Sequence, residues 1–110
     1  MVETVIESID ELEKFKNSHP ISVVYFSTPE CNVCKVLKPK LIELLDDDFS
    51  KVKFGYVDLN KSREIAGQNT IFTVPTIIFY FEGIETIRES RNISLPELYE
   101  KLDRPYKMFF

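Results

Sequence analysis

The chain has 110 residues, of which 44% are hydrophobic and 29% are charged, a composition typical of one soluble globular domain. Its net charge of −4 argues against nucleic acid or an anionic membrane as a partner, because both repel an acidic protein. Residues 1–7 lack the basic and apolar regions of a signal peptide, and no stretch is apolar enough to span a membrane. We therefore expect a cytoplasmic protein.

The first elements in chain order are a short strand, a helix and a buried strand. Residues 4–7 predict the short strand, and Ser8 with Glu11 forms a capping-box pattern at the start of a helix that ends at about Ser18. Residues 21–26 are β-branched and aromatic almost throughout. They predict a central strand that is buried on both faces of the sheet.

A longer helix is predicted to begin near the first cysteine and to end at about Leu45. Pro39 lies inside this helix and should kink it. The apolar face of the helix is expected to consist of Val36, Leu37, Leu41, Leu44 and Leu45.

The second half of the chain is predicted to hold three strands and two helices. In chain order they are a strand at residues 52–58, a helix at 61–68 capped by Asn60 or Ser62, strands at 76–81 and 84–89, and a helix from Ser94 to about Leu102. Helices between strands favour parallel pairing, and the final hairpin favours an antiparallel edge. The sequence thus predicts an α/β protein with a central mixed β-sheet flanked by helices on both faces.

Cys31 and Cys34 are the only cysteines of the chain, and their C-x-x-C spacing falls where an apolar strand gives way to a helix. In an intracellular protein, this pattern indicates a redox-active dithiol rather than a structural disulfide. Zinc requires four ligands, and the chain offers only His19 besides the two cysteines. A zinc site would therefore need a second chain, and we expect no metal site.

Three features in this order resemble the thioredoxin family: Cys31-Asn32-Val33-Cys34, Pro39 inside the following helix, and Val74-Pro75-Thr76 before a strand. The resemblance extends from about Ile6 to Leu102. It implies the thioredoxin fold, in a single thioredoxin-like domain at residues 1–110 whose last residues, 103–110, form a short aromatic tail.

The resemblance also implies a function, the reduction of protein disulfides by a thiol–disulfide oxidoreductase without a bound cofactor. Cys31, at the start of a helix, is expected to attack as the thiolate, and Cys34, one turn further in, to resolve the mixed disulfide. Val74 and Pro75 would form the cis-proline loop that holds the substrate chain. We expect disulfide-containing client proteins, a reductase or a thiol pool as electron donor, and a monomer.

Around the cysteines, the chain departs from the common family pattern at Glu30, Asn32 and Val33. These three residues and Lys35 are expected to modulate the dithiol. The helix start and Lys35 favour the Cys31 thiolate, whereas Glu30 disfavours it. Alternatively, Glu30 could pass a proton to Cys34, because Tyr25 occupies the position of the family's buried acid.

Two other functions remain open at this point. One is a binding or adaptor module with an idle dithiol, favoured by the lack of tryptophan and by Arg91 at the position of a family glycine. The other is a redox partner of one dedicated client, with specificity from Asn32, Val33, Phe72 and Arg91. The aromatic residues 106–110 could pack back onto the sheet or contact a partner.

Overall fold

The computed structural model describes all 110 residues and contains five strands and four helices. In chain order they are β1 (Glu3–Val5), α1 (Ile9–Asn17), β2 (Ile21–Ser27), α2 (Asn32–Asp48), β3 (Lys53–Asp58), α3 (Arg63–Gln68), β4 (Thr76–Phe81), β5 (Ile84–Ser90) and α4 (Leu95–Phe109). The strands form one sheet in the order β1-β3-β2-β4-β5. Strands β1, β3 and β2 are parallel, and β4 and β5 pair antiparallel. The predicted mixed sheet is confirmed.

The hydrophobic core lies in two layers, one on each face of the sheet. Helices α2 and α4 cover one face with Cys34, Leu41, Leu45, Leu98 and Leu102. Helices α1 and α3 cover the other face with Leu12, Phe15 and Ile65. Alternate residues of β2 serve the two layers, with Val23 and Tyr25 on one side and Val24 and Phe26 on the other. This is why every residue of β2 is buried, as predicted for a central strand.

The predicted caps of α1 and α4 are present. Ser8 accepts a hydrogen bond from the Glu11 amide at 3.1 Å, and Ser94 accepts one from the Glu97 amide at 3.4 Å. Ser62 is the N-cap residue of α3, one of the two predicted positions. Its hydroxyl accepts no hydrogen bond from a helix amide and instead donates to the Glu7 carbonyl at 2.9 Å, so the capping bond itself is absent.

Two further details differ from the sequence prediction. Helix α2 continues to Asp48, so its acidic end lies exposed in the last turn. Val36, placed by its periodicity on the apolar face of α2, is 59% exposed. None of the four helices combines the length and the hydrophobicity that a membrane-spanning helix requires.

The last helix continues through the residues expected to form a tail. Its end was predicted near Leu102, but α4 extends to Phe109 and includes Pro105. The Tyr106 ring meets Phe49 edge-on at 5.1 Å between centroids, and Phe109 meets Phe81 in the same way at 5.4 Å. These tertiary contacts extend the helix beyond the point where local signals end it, and they confirm that the aromatic residues pack back onto the fold.

The packing of this last turn can be tested by mutation. Tyr106→Ala is expected to lower the free energy of unfolding by about 2 kcal/mol, because it removes a ring that packs on buried Phe49. Met108→Ala is the matched control, with a loss under about 0.5 kcal/mol, because Met108 is 80% exposed. Urea unfolding followed by far-UV circular dichroism measures both, and equal losses would contradict the packing.

Candidate active site

The two cysteines lie where β2 leads into α2. Cys31 is the N-cap residue of α2, and its sulfur accepts a hydrogen bond from the Cys34 amide at 3.2 Å. The two residues are joined by a disulfide, with Cα atoms 5.3 Å apart. Cys34 is 2% exposed, whereas Cys31 is partly exposed. An incoming group can therefore reach the Cys31 sulfur, and the helix start favours its thiolate in the reduced protein.

Val74 and Pro75 lie at the same edge of the sheet as the cysteines. Strands β2 and β4 are antiparallel, and Phe26 near the end of β2 pairs with Thr76 at the start of β4. The Val74–Pro75 peptide bond is cis. Val74 is half-buried, and its backbone amide and carbonyl make no hydrogen bond with the chain's other backbone groups. The tertiary structure thus places the unpaired backbone groups of Val74 at the same edge as the dithiol, although 41 residues separate Cys34 from Pro75.

Tyr25 supports the dithiol from beneath. Its side chain is fully buried, and its hydroxyl donates a hydrogen bond to the Cys34 carbonyl at 2.8 Å. Its ring stacks against Phe54 and Tyr56 of the neighbouring strand β3, with centroid distances of 6.3 and 6.4 Å. Burial raises the pKa of Tyr25, with a smaller contribution from Tyr56, so the phenol stays neutral at physiological pH. A neutral hydrogen-bond donor therefore occupies the position beneath Cys34.

Tyr56 extends this aromatic layer toward the surface. Its hydroxyl accepts a hydrogen bond from Ser27 at 3.0 Å, and the Lys38 ammonium lies 4.2 Å from its ring centroid. Lys38 also forms an ion pair with Glu3 at 2.5 Å. The layer ties α2 to β1 and β3, and it holds the start of α2 against the sheet.

Glu30, directly before Cys31, is held by Asn60. Both carboxylate oxygens of Glu30 accept hydrogen bonds from the Asn60 side-chain amide, at 2.7 and 2.9 Å. These bonds, chiefly, and the nearby charge of Lys35 lower the pKa of Glu30, although the side chain is exposed. The carboxylate form of Glu30 is therefore favoured, and the suggested proton transfer between Glu30 and Cys34 stays a prediction.

The other suggested modulators surround the dithiol at the surface. Asn32, Val33 and Lys35 are exposed, and Val33 keeps 62% of its surface in solvent. The Lys35 amide donates to the Cys31 carbonyl at 3.2 Å in the first turn of α2. These three side chains can contact a bound polypeptide. They are not part of the hydrophobic core that surrounds Cys34.

The charge of Glu30 can be tested directly. Glu30→Gln is expected to raise the rate of Cys31 alkylation in the reduced protein at neutral pH by up to about threefold, because it removes a negative charge that opposes the thiolate. The pH profile should keep its shape. Lys35→Gln is the control with the opposite sign and should lower the rate. A large loss of rate in Glu30→Gln, with one step missing from the profile, would show that Glu30 does transfer a proton.

Sequence reasoning missed two contacts of this site. The sequence indicated Tyr25 only as the residue at the position of the family's buried acid, and Asn60 only as a candidate helix cap. A phenol in a buried central strand needs a partner for its hydroxyl, and this signal could have pointed to a contact beneath the helix start. No local signal predicts the pairing of Glu30 with Asn60, because 30 residues separate them.

The chain is similar to known proteins in both sequence and structure. The family model described as Thioredoxin matches residues 5–104. The chain is 34% identical over 106 residues to the "Thioredoxin-like protein YdfQ" of Bacillus subtilis (strain 168), with 96% of this chain and 94% of that protein covered. The structure of Fasciola hepatica thioredoxin superposes with a TM-score of 0.81 at 28% identity, over 92% of this chain and 97% of that one.

A further similarity involves part of a larger protein. The chain is 28% identical over 91 residues to the "NADPH-dependent thioredoxin reductase 3" of Arabidopsis thaliana. The match covers 82% of this chain but only 17% of that protein. The chain is therefore similar to one segment of that reductase.

Proposed function

Since this chain belongs to the thioredoxin family and has the thioredoxin fold, we propose that it reduces the disulfides of client proteins. A partly exposed cysteine and a buried one, already at bonding distance, make it a thiol–disulfide oxidoreductase in the general sense. The observation that carries the proposal is the position of Cys31 at the N-terminus of α2, with Cys34 behind it.

The reaction proceeds in two exchange steps. The Cys31 thiolate attacks one sulfur of the client disulfide, which forms a mixed disulfide and releases the first client thiolate. Cys34, as the thiolate, then attacks the Cys31 sulfur, which forms the Cys31–Cys34 disulfide and releases the second client thiolate. The two client sulfurs gain two electrons and take up two protons. The protein loses the same two electrons, and its dithiol becomes a disulfide.

Val74 and Pro75 hold the client chain during these steps. The unpaired backbone amide and carbonyl of Val74 support this role, because an extended client segment could pair with them as an added strand. The position of Pro75 beside the paired residues Phe26 and Thr76 brings that segment to the dithiol edge.

Electrons return to the dithiol from a reductase or a thiol pool. The similarity to a segment of a thioredoxin reductase supports the first source. A reducing compartment such as the cytoplasm supplies both kinds of donor, and we place the protein there. The cysteines, Val74 and Pro75 all belong to one chain, so we propose that the monomer is active.

The proposal is tested by a redox titration and an activity assay. The Cys31–Cys34 pair is titrated in dithiothreitol redox buffers, and the oxidised fraction is read as a mass shift after alkylation, since the chain has no tryptophan to report it. Insulin reduction in the presence of dithiothreitol measures activity. A reversible two-electron transition together with faster insulin reduction is expected.

A binding module with an idle dithiol is the second candidate. The neutral Tyr25 hydroxyl beneath Cys34 favours it, because no buried carboxylate stands there to take up the Cys34 proton. If no intramolecular disulfide forms in any buffer, the oxidoreductase proposal is wrong and the binding module remains. A normal titration with slow insulin reduction would instead point to a narrow range of clients.

A further inference from the structure

A groove continues the dithiol edge of the sheet past Pro75. It has a volume of about 380 Å³ and lies over the start of β4 and the end of β5. Its lining consists of Thr70, Ile71, Phe72, Thr73, Thr76, Arg88, Ser90 and Arg91. The groove borders Val74 and Pro75, because Thr73 and Thr76 on either side of them line it, and its strand residues lie on the face of the sheet that α1 and α3 cover. A client chain that pairs with Val74 would therefore pass next to it.

The charge of this groove is positive and is not neutralised at Arg91. No acidic side chain lines it. The Arg88 guanidinium is already engaged, with two hydrogen bonds to the Glu85 carboxylate and others to the Thr70 and Asn69 carbonyls. Arg91 is exposed and takes part in none of the ion pairs. In a chain with a net charge of −4, this free cation has no counterpart within the groove.

The backbone of Arg91 gives a second, independent indication. Its φ is +63°, in the left-handed region that favours glycine. Its amide donates to the Pro75 carbonyl at 3.2 Å, which fixes the residue beside the client-holding segment. Glycine would adopt this backbone conformation more easily than arginine. The presence of arginine here therefore indicates that its side chain has a function.

We propose that Arg91 binds an acidic side chain of the client polypeptide next to its disulfide, with the exposed ring of Phe72 covering the same segment. The uncompensated charge and the acid-free lining favour a carboxylate over a neutral or basic side chain. Phe72, 86% exposed at the groove, offers an apolar surface to the neighbouring client residue. This inference rests on the proposed disulfide reduction and names the class of client.

The test compares two short synthetic peptides that contain the same intramolecular disulfide. One has glutamate on both sides of the cysteines, and the other has glutamine at those positions. The wild-type protein is expected to reduce the glutamate peptide with a kcat/KM about threefold to fivefold higher, mainly through KM, because an exposed ion pair contributes to binding of the substrate and transition state alike. The preference should shrink as the salt concentration rises.

Variants identify the residue responsible. Arg91→Gln should remove the preference, Arg91→Lys should keep most of it, and Arg104→Gln, a matched exposed arginine on α4, should leave it unchanged. Arg91→Gly should remove the preference without lowering the urea midpoint, because glycine suits the backbone at this position. A preference that survives in Arg91→Gln would overturn the proposal.

The remaining outcomes separate this proposal from the proposed function. Equal reduction of both peptides by the wild-type protein would overturn the role of Arg91 and leave disulfide reduction intact. Reduction of neither peptide, together with the absence of an intramolecular disulfide in the redox titration, would overturn the disulfide reductase itself. If Arg91→Gln slows only the reduction of glutathione disulfide and not of the glutamate peptide, the groove binds a small anionic disulfide and the polypeptide proposal is wrong.

Discussion

Cys31→Ser is expected to lower the rate of protein-disulfide reduction by at least about a thousandfold, to the background of the chemical reductant. A serine hydroxyl is not ionised at neutral pH and does not exchange with disulfides. Cys34 cannot replace the lost nucleophile, because only 2% of its surface is exposed and its side chain belongs to the core. Insulin reduction, compared between the variant and the wild-type protein, measures the loss.

Cys34→Ser is the matched variant and should fail in a different way. The exposed Cys31 still attacks, but no second thiol is present to release it, so mixed disulfides with the client should accumulate. They are detected as adducts by non-reducing electrophoresis and mass spectrometry, and Cys31→Ser should form none. If adducts form through Cys34 instead, the assignment of attacking and resolving cysteines is reversed. Retained insulin reduction in Cys31→Ser would contradict the dithiol mechanism.

Tyr25→Ala is expected to have the largest effect on stability. The residue is fully buried in the central strand, and its ring stacks against both Phe54 and Tyr56. Removing the ring leaves a cavity beneath the start of α2, which should lower the free energy of unfolding by about 3–5 kcal/mol. This is a large share of the roughly 5–15 kcal/mol that stabilise a typical domain. Urea unfolding followed by far-UV circular dichroism measures it.

Tyr25→Phe separates the ring from the hydroxyl. It keeps the stacking and loses only the hydrogen bond to the Cys34 carbonyl, so the expected loss is about 1 kcal/mol. A loss in Tyr25→Ala of less than about 1 kcal/mol would show that the surrounding side chains fill the space, and it would contradict the rigid aromatic layer described above. A loss in Tyr25→Phe equal to that in Tyr25→Ala would place the whole effect in the hydroxyl.

The helices, the strands and the place of the dithiol were largely predictable because their signals are local. Residues 21–26 carry no charged side chain, so burial on both faces was the only favourable arrangement. The capping residues Ser8 and Ser94 predicted two helix starts, and both are present in the structure. The spacing of Cys31 and Cys34 at a strand-to-helix junction fixed the position of one relative to the other, since residues three apart lie one turn from each other on a helix.

Some features of the site depend instead on contacts between distant parts of the chain. Three such features join segments that are distant in the sequence. They are the hydrogen bond from Tyr25 to the Cys34 carbonyl, the hydrogen bonds from Asn60 to Glu30, and the groove at Arg91. The same holds for the last turn of α4, which local signals end near Leu102 and which packing against Phe49 and Phe81 extends.

The sequence by itself thus determined the order of strands and helices, the burial of the central strand and the presence of a dithiol at a helix start. Hydrophobic periodicity, caps and motif spacing act over a few residues, and they can be read without knowing the rest of the fold. Only the tertiary structure decided which groups surround that dithiol. Side-chain partners depend on the register and packing of separate elements, so Tyr25, Asn60 and Arg91 acquire their positions around Cys31 only when the sheet is assembled.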